Sequence, residues 1–137
     1  MDDLNTTSEV LDVATARQRL TEVRPVVETI MHLAREARAT DAQRAEAVRL
    51  GDRALENQLN SGLADKRTEL QERIRELNRL GAILKDPMNG LIDFYTWAGG
   101  DMAFLCWRHG EDTIEYWHGL EDGYPGRRPV AELGEPS

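Results

Sequence analysis

The stretch LGAILKDPMNGLIDFYTWAGGDMAFLCWRHGEDTIEYWHGLEDGYPGRRPV, residues 80–130, decides the fold, because hydrophobic spacing changes there from a helical period to short β-like runs. Ile83 to Lys85, Leu91 to Trp97, Met102 to Arg108 and Thr113 to His118 are separated by Asp86-Pro87-Met88-Asn89-Gly90, Gly99-Gly100 and Gly110-Glu111. Glycine in each connection makes positive φ easy, so an antiparallel meander of three or four strands is expected over residues 81–130.

The turns also suggest a register. Two-residue loops at Gly99-Gly100 and Gly110-Glu111 set Asp93 opposite Cys106, Cys106 opposite Glu115 and Trp107 opposite Ile114. Side chains alternate, so one face would carry Ile92, Phe94, Leu105, Trp107, Ile114, Tyr116 and His118. The other would carry Asp93, Tyr95, Phe104, Cys106, Arg108, Glu115 and Trp117. The first face reads as core. A slip of one residue in either turn would exchange the faces of every side chain beyond it.

Upstream lies amphipathic helix. Asp12 is a good N-cap, and Val13, Ala16, Leu20, Val23, Val27, Ile30, Ala34 and Ala37 recur at three- and four-residue steps. Pro25 removes one backbone donor, so the helix is expected to kink there or to begin after it. At Thr40-Asp41 the apolar stripe loses phase and restarts through Ala45, Val48, Leu55 and Leu59, which suggests a break or strong bend. Asn60-Ser61-Gly62 reads as a turn, followed by a helix carrying Leu63, Leu70, Ile74 and Leu77 to about Leu80, with Gly81 as its left-handed cap. Residues 13–80 therefore form a helical hairpin or a three-helix layer packed on the sheet, an α+β protein with residues 13–130 as one folding unit. Residues 1–12 read as an acidic tail with a possible short strand at Val10-Leu11, and residues 131–137 as a second tail. The Ala-rich seam also suits self-association, so a homo-oligomer, most simply a dimer through the helices, is the expected partner state.

Composition narrows the function classes. The net charge of −8 is uneven: residues 1–12 hold four acids and no base, residues 13–80 hold thirteen bases and eleven acids, and residues 81–137 hold four bases and ten acids. The acidic final third argues against nucleic acid as a ligand. No run approaches the ~20 apolar residues of a membrane span. With a lone cysteine and no recognisable leader, a soluble cytoplasmic protein without membrane association is expected.

The candidate site residues lie in the meander. Asp93, Cys106, Glu115 and His118 are of types that ligate zinc or iron, although the expected register turns His118 to the opposite face. A divalent metal is thus a possible cofactor. Arg127 and Arg128, in a loop stiffened by Gly123, Pro125, Gly126 and Pro129, offer a fork for phosphate or carboxylate, or return to pair with Asp93, Glu111 or Glu115. Arg108 and Trp117 complete the candidate ligand-binding set, with Trp117 as a cover for a small pocket; Trp97 and Trp107 read as core and lid. Cys106 makes a poor nucleophile, because neighbouring carboxylates raise a thiol pKa. A paired-carboxylate hydrolase using Asp93 and Glu115 has no evident cleft. The expected function is a non-enzymatic interaction or assembly module, and the alternative is a metal- or small-ligand-binding protein on the polar face.

The same stretch resembles the C-terminal signature of the bacterial and archaeal proteins grouped as domain of unknown function 2203. The matching elements are Gly-x-x-x-Lys-Asp at 81–86, Gly-Leu-Ile-Asp-Phe at 90–94, Leu-Cys-Trp-Arg at 105–108, Gly-Glu at 110–111, Trp-His at 117–118 and Gly-Tyr-Pro-Gly-Arg-Arg-Pro at 123–129. Arg24-Pro25 extends the resemblance into the first helix. Tyr95 stands where the family pattern has proline, and Tyr124-Pro125 where it has Phe-Ala. The resemblance implies helices followed by a compact acidic-aromatic module, with no activity attached.

Overall fold

A computed structural model describes residues 5–133. Two helices, α1 (Val13–Leu50) and α2 (Arg53–Arg79), precede the strands β1 (Ala82–Asp86), β2 (Leu91–Ala98), β3 (Asp101–Arg108), β4 (Tyr116–Gly119) and β5 (Arg128–Pro129). The strands form one antiparallel sheet in sequence order. The meander is therefore present with five strands rather than three or four. Val10 adds a parallel bridge to Tyr95, and Leu11 N–H donates to the Tyr95 carbonyl at 2.8 Å, continuing the edge beyond the start of β1. Asn5 belongs to the fold: its side chain donates to the Leu84 carbonyl at 2.8 Å and accepts from Leu84 N–H at 2.7 Å. Residues 1–4 and 134–137 of the two expected tails lie outside the described residues.

Helix α1 starts where expected, with Asp12 accepting from Thr15 N–H at 2.8 Å. It runs through Pro25 rather than starting after it. It also runs unbroken past Thr40-Asp41, where the apolar stripe changes phase. The physical reason is burial: between Val13 and Leu33 the helix lies on the sheet, and beyond Leu33 only Ala47 is buried, so little fixes the phase of the apolar stripe. Asp41 is held on the helix surface by Arg44, three residues on, at 2.9 Å. The chain reverses later, at Gly51 in the left-handed conformation (φ +71°), and Asp52 caps α2 by accepting from Leu55 N–H at 3.1 Å. Asn60-Ser61-Gly62 is not a turn but mid-helix. A glycine there costs about 1 kcal/mol relative to alanine, which packing of the neighbouring Leu63 against α1 can offset. The helices thus form a two-helix hairpin, not a three-helix layer.

The core lies between α1, the C-terminal half of α2 and one face of the sheet. Leu20, Val23, Val27, Ile30 and Leu77 meet Ala82, Ile92, Phe94, Leu105 and Trp107 there. Gly90 lets β2 approach α1. Its φ is +65°, and a Cβ there would stand 2.7 Å from both the Met31 sulfur and His109 Cβ.

The expected two-residue loop at Gly110-Glu111 is absent, and this changes one half of the sheet. The Glu111 carboxylate accepts from Arg108 N–H at 2.7 Å, and its carbonyl accepts from Trp107 Nε1 at 3.0 Å. These bonds draw the chain inward, so Ile114 enters the core fully buried and its carbonyl accepts twice from Arg17, at 3.0 and 2.8 Å. Pairing resumes only at Tyr116, one residue out of the expected register. Cys106 faces Tyr116 instead of Glu115, and Phe104 faces His118. The register between β2 and β3 is as expected, with Asp93 opposite Cys106.

Candidate metal centre on the polar sheet face

The shift in β4 exchanges two candidate residues. His118, expected on the core face, joins Asp93 and Cys106 on the polar face, while Glu115 leaves the row and stays exposed before β4, contributing its carbonyl to Val130 N–H at 2.9 Å. Trp117 likewise sits on the helix side, packed against the core, with the Arg128 guanidinium 5.0 Å from its ring. A pocket cover at Trp117 and a paired-carboxylate site of Asp93 with Glu115 are therefore both excluded by geometry. Trp97 is 60% exposed, whereas Trp107 is core.

Asp93, Cys106 and His118 come from three adjacent strands, and all are buried. Their ligand atoms lie within 4.8 Å of one another. His118 Nδ1 is 2.8 Å from the Gly119 carbonyl oxygen, which only accepts, so Nδ1 carries a proton. Nε2 then points at Asp93 Oδ1, 3.1 Å away. Lys85, on the β1 bulge, brings Nζ to 4.0 Å from the other carboxylate oxygen and lies 4.5 Å from the Phe104 ring centroid. Sequence reasoning missed Lys85, because it assigned no pairing to β1; with Ile83 opposite Asp93, alternation puts Lys85 on the Asp93 face.

The electrostatics follow from burial and from Asp93. The Cys106 thiol is pushed up to about 12, first by burial and then by the charge of Asp93. Without a cation to displace its proton it is a thiol at neutral pH. For His118, burial works to lower the pKa, but the hydrogen bonds to Asp93 and to the Gly119 carbonyl, with the charge of Asp93, outweigh it and raise the value above 6.5. A raised folded value means the protonated ring stabilises the fold fully below the unfolded pKa, with the contribution lost as pH rises through the folded pKa. The stability difference between wild type and His118→Gln, from urea denaturation over a pH series, is expected to be largest below about pH 6.5 and to shrink above it. A difference independent of pH would show that the ring is neutral throughout.

The two arginines close the meander rather than entering this cluster. Arg127 Nη2 donates to both carboxylate oxygens of Glu111, at 2.8 and 2.6 Å, and its guanidinium lies 4.0 Å from the Tyr116 ring centroid and 4.6 Å from that of Tyr124. Arg127 thus makes one of the pairings expected of it. Arg128 pairs with Glu132 instead, at 2.8 Å. Arg108 lies on the polar face one row beyond Cys106, where its partner across the strands is Leu91.

Among the described residues, no helix is long and apolar enough to cross a membrane. No curated protein and no solved structure matches the chain. The family model described as "Uncharacterized conserved protein (DUF2203)" matches residues 9–130. That span runs from the edge bridge at Val10 through both helices to the end of β5, and takes in Asp93, Cys106, His118 and Lys85. The match covers most of the chain, which therefore belongs to the DUF2203 family.

Proposed function

We propose that this protein binds a thiophilic divalent cation, best matched by zinc, through Asp93, Cys106 and His118. The observation that supports it is the convergence of carboxylate, thiol and imidazole within 4.8 Å on one buried sheet face. Tetrahedral zinc at ordinary bond lengths needs ligand atoms about 3.3–3.8 Å apart, so closure by about 1 Å suffices. The Nδ1 proton held by the Gly119 carbonyl leaves Nε2 as the coordinating atom, the arrangement by which backbone carbonyls orient metal-binding histidines. Binding would displace the thiol proton and the Nε2 proton of His118, so affinity should rise with pH. Thiolate and carboxylate together neutralise the ion, and Lys85 beside them favours an anion or water at the fourth position.

Native mass spectrometry with zinc titration tests this. One zinc per chain is expected, with Cys106→Ser and Asp93→Asn each weakening retention by about 10- to 100-fold or more. Zinc binding of equal strength in both variants would overturn it.

Self-association as a non-enzymatic assembly module is a second proposal, and one observation favours it. Val48, Leu50 and Leu55 are 48%, 69% and 41% exposed at the hairpin tip, away from the sheet. The contact in such a dimer would be that tip, because the seam from Ala16 to Ile30 is already buried within the chain.

A further inference from the structure

Next to the proposed metal site, on the same sheet face, a cleft of about 290 Å³ opens between the β1–β2 turn and the Tyr124-Pro125 corner. Leu91, Tyr124 and Pro125 give it apolar walls, and Asp86, Asn89 and Arg108 bring polar groups to it. The volume is near the lower end for small-molecule sites, and the mix of apolar wall with a few convergent polar groups is typical of them.

Arg108 is the one cation of that lining. Among the described residues it has no carboxylate within ion-pair distance. Its side-chain hydrogen bond is a long one, 3.4 Å from Nη2 to Asn89 Oδ1. Asn89 in turn donates to Asp86 at 2.7 Å, and the Tyr124 ring centroid lies 5.9 Å from the Arg108 guanidinium. The guanidinium is thus positioned by an amide and a ring; its charge favours the ionised Asp86 across the cleft from beyond ion-pair distance, and its donors remain for an anion.

We infer that this cleft binds a small organic carboxylate, its charged end on Arg108 and its apolar or planar body against Leu91, Tyr124 and Pro125. Asp86 decides the class of anion. Its carboxylate, fixed by Met88 N–H at 2.9 Å and by Asn89, lines the same cleft and repels a doubly charged phosphate more than a monocarboxylate. The acidic surroundings, ten acids against four bases over residues 81–137, act in the same direction.

Benzoate serves as the probe, with benzamide and inorganic phosphate as comparisons, and backbone amide NMR shifts as the readout. Chelator is present throughout, so the result does not depend on any cation at Asp93. Saturable shifts confined to residues around Leu91, Arg108 and Tyr124 are expected with benzoate. Benzamide, phosphate, and benzoate with Arg108→Gln should each bind at least about tenfold more weakly, the loss of one charge-assisted pair. Arg108 is exposed, so this variant should keep the wild-type spectrum elsewhere. Absence of saturable shifts, benzamide or phosphate binding as tightly as benzoate, or an unchanged affinity in Arg108→Gln would each overturn the inference.

Discussion

Asp93→Ala is expected to lower the unfolding free energy by about 3–5 kcal/mol, the usual cost of removing one partner from a buried ion pair. Asp93 is 2% exposed, and it alone stands against two cationic groups: His118 Nε2 at 3.1 Å and Lys85 Nζ at 4.0 Å. Alanine leaves the imidazolium buried beside Phe104 with only the Gly119 carbonyl to accept from it. The ring can escape by losing its proton, so the loss should be greatest in acid and smaller toward pH 8. Asp93→Asn keeps an acceptor for Nε2–H and should be milder. Urea denaturation of both variants at about pH 6 and about pH 8 checks this, given the 6.5 reference of histidine. Equal losses at both pH values would mean that charge on His118 has no part in what Asp93 does.

Val27→Asp should have a larger effect still, enough to prevent folding. Val27 has no exposed surface and sits in the layer where α1 meets the sheet. A carboxylate there would stand within the apolar cluster, and desolvating it costs more than the roughly 5–15 kcal/mol that holds a domain of this size together, unless it protonates. From the sequence, a polar residue at Val27 or Ile30 would be expected to change oligomeric mass. The buried seam predicts instead loss of the folded chain, read as collapse of near-ultraviolet circular dichroism and insoluble expression. A folded Val27→Asp of altered mass in sedimentation would show that the seam faces a second copy.

The contrast between these two sites shows which kind of information the sequence carries. Periodicity is local, so the buried stripes of α1 up to Ile30 and of α2 from Leu63 to Leu77, and the β2–β3 pair, were legible, but the bounds between the helices were not. Asp12 as cap, the alternation along Leu91–Ala98 and a true two-residue turn at Gly99-Gly100 are all recorded within a few residues. The loss of phase at Thr40 was legible too, but its cause was not. A helix leaving the sheet and a helix ending produce the same change of spacing, and only the tertiary layout distinguishes them. Asn60-Ser61-Gly62 misled for a related reason, since weak helix formers in a long hairpin are overridden by neighbours such as Leu63.

The site was half legible. Asp93 and Cys106 were paired from turn geometry alone. His118 was named as a ligand type but assigned to the wrong face, because the β3–β4 loop is set by side-chain contacts that spacing does not show: Trp107 Nε1 and Arg108 N–H on Glu111 within the loop, and the distant Arg17 on the Ile114 carbonyl. One residue of slip then exchanged Glu115 for His118. The signature elements Leu-Cys-Trp-Arg, Gly-Glu and Trp-His are the segments whose contacts set that register, which the sequence displays only as separate motifs.

The measurement that tests the central claim most directly is an optical titration of the reduced protein with cobalt(II), a spectroscopic stand-in for zinc. If Asp93, Cys106 and His118 share one metal, a thiolate-to-cobalt charge-transfer band should appear together with the intense visible bands of tetrahedral cobalt. Both should saturate at one equivalent, weaken as pH falls, and lose the charge-transfer component in Cys106→Ser. A spectrum of pale octahedral cobalt with no thiolate band, unchanged in Cys106→Ser, would contradict it.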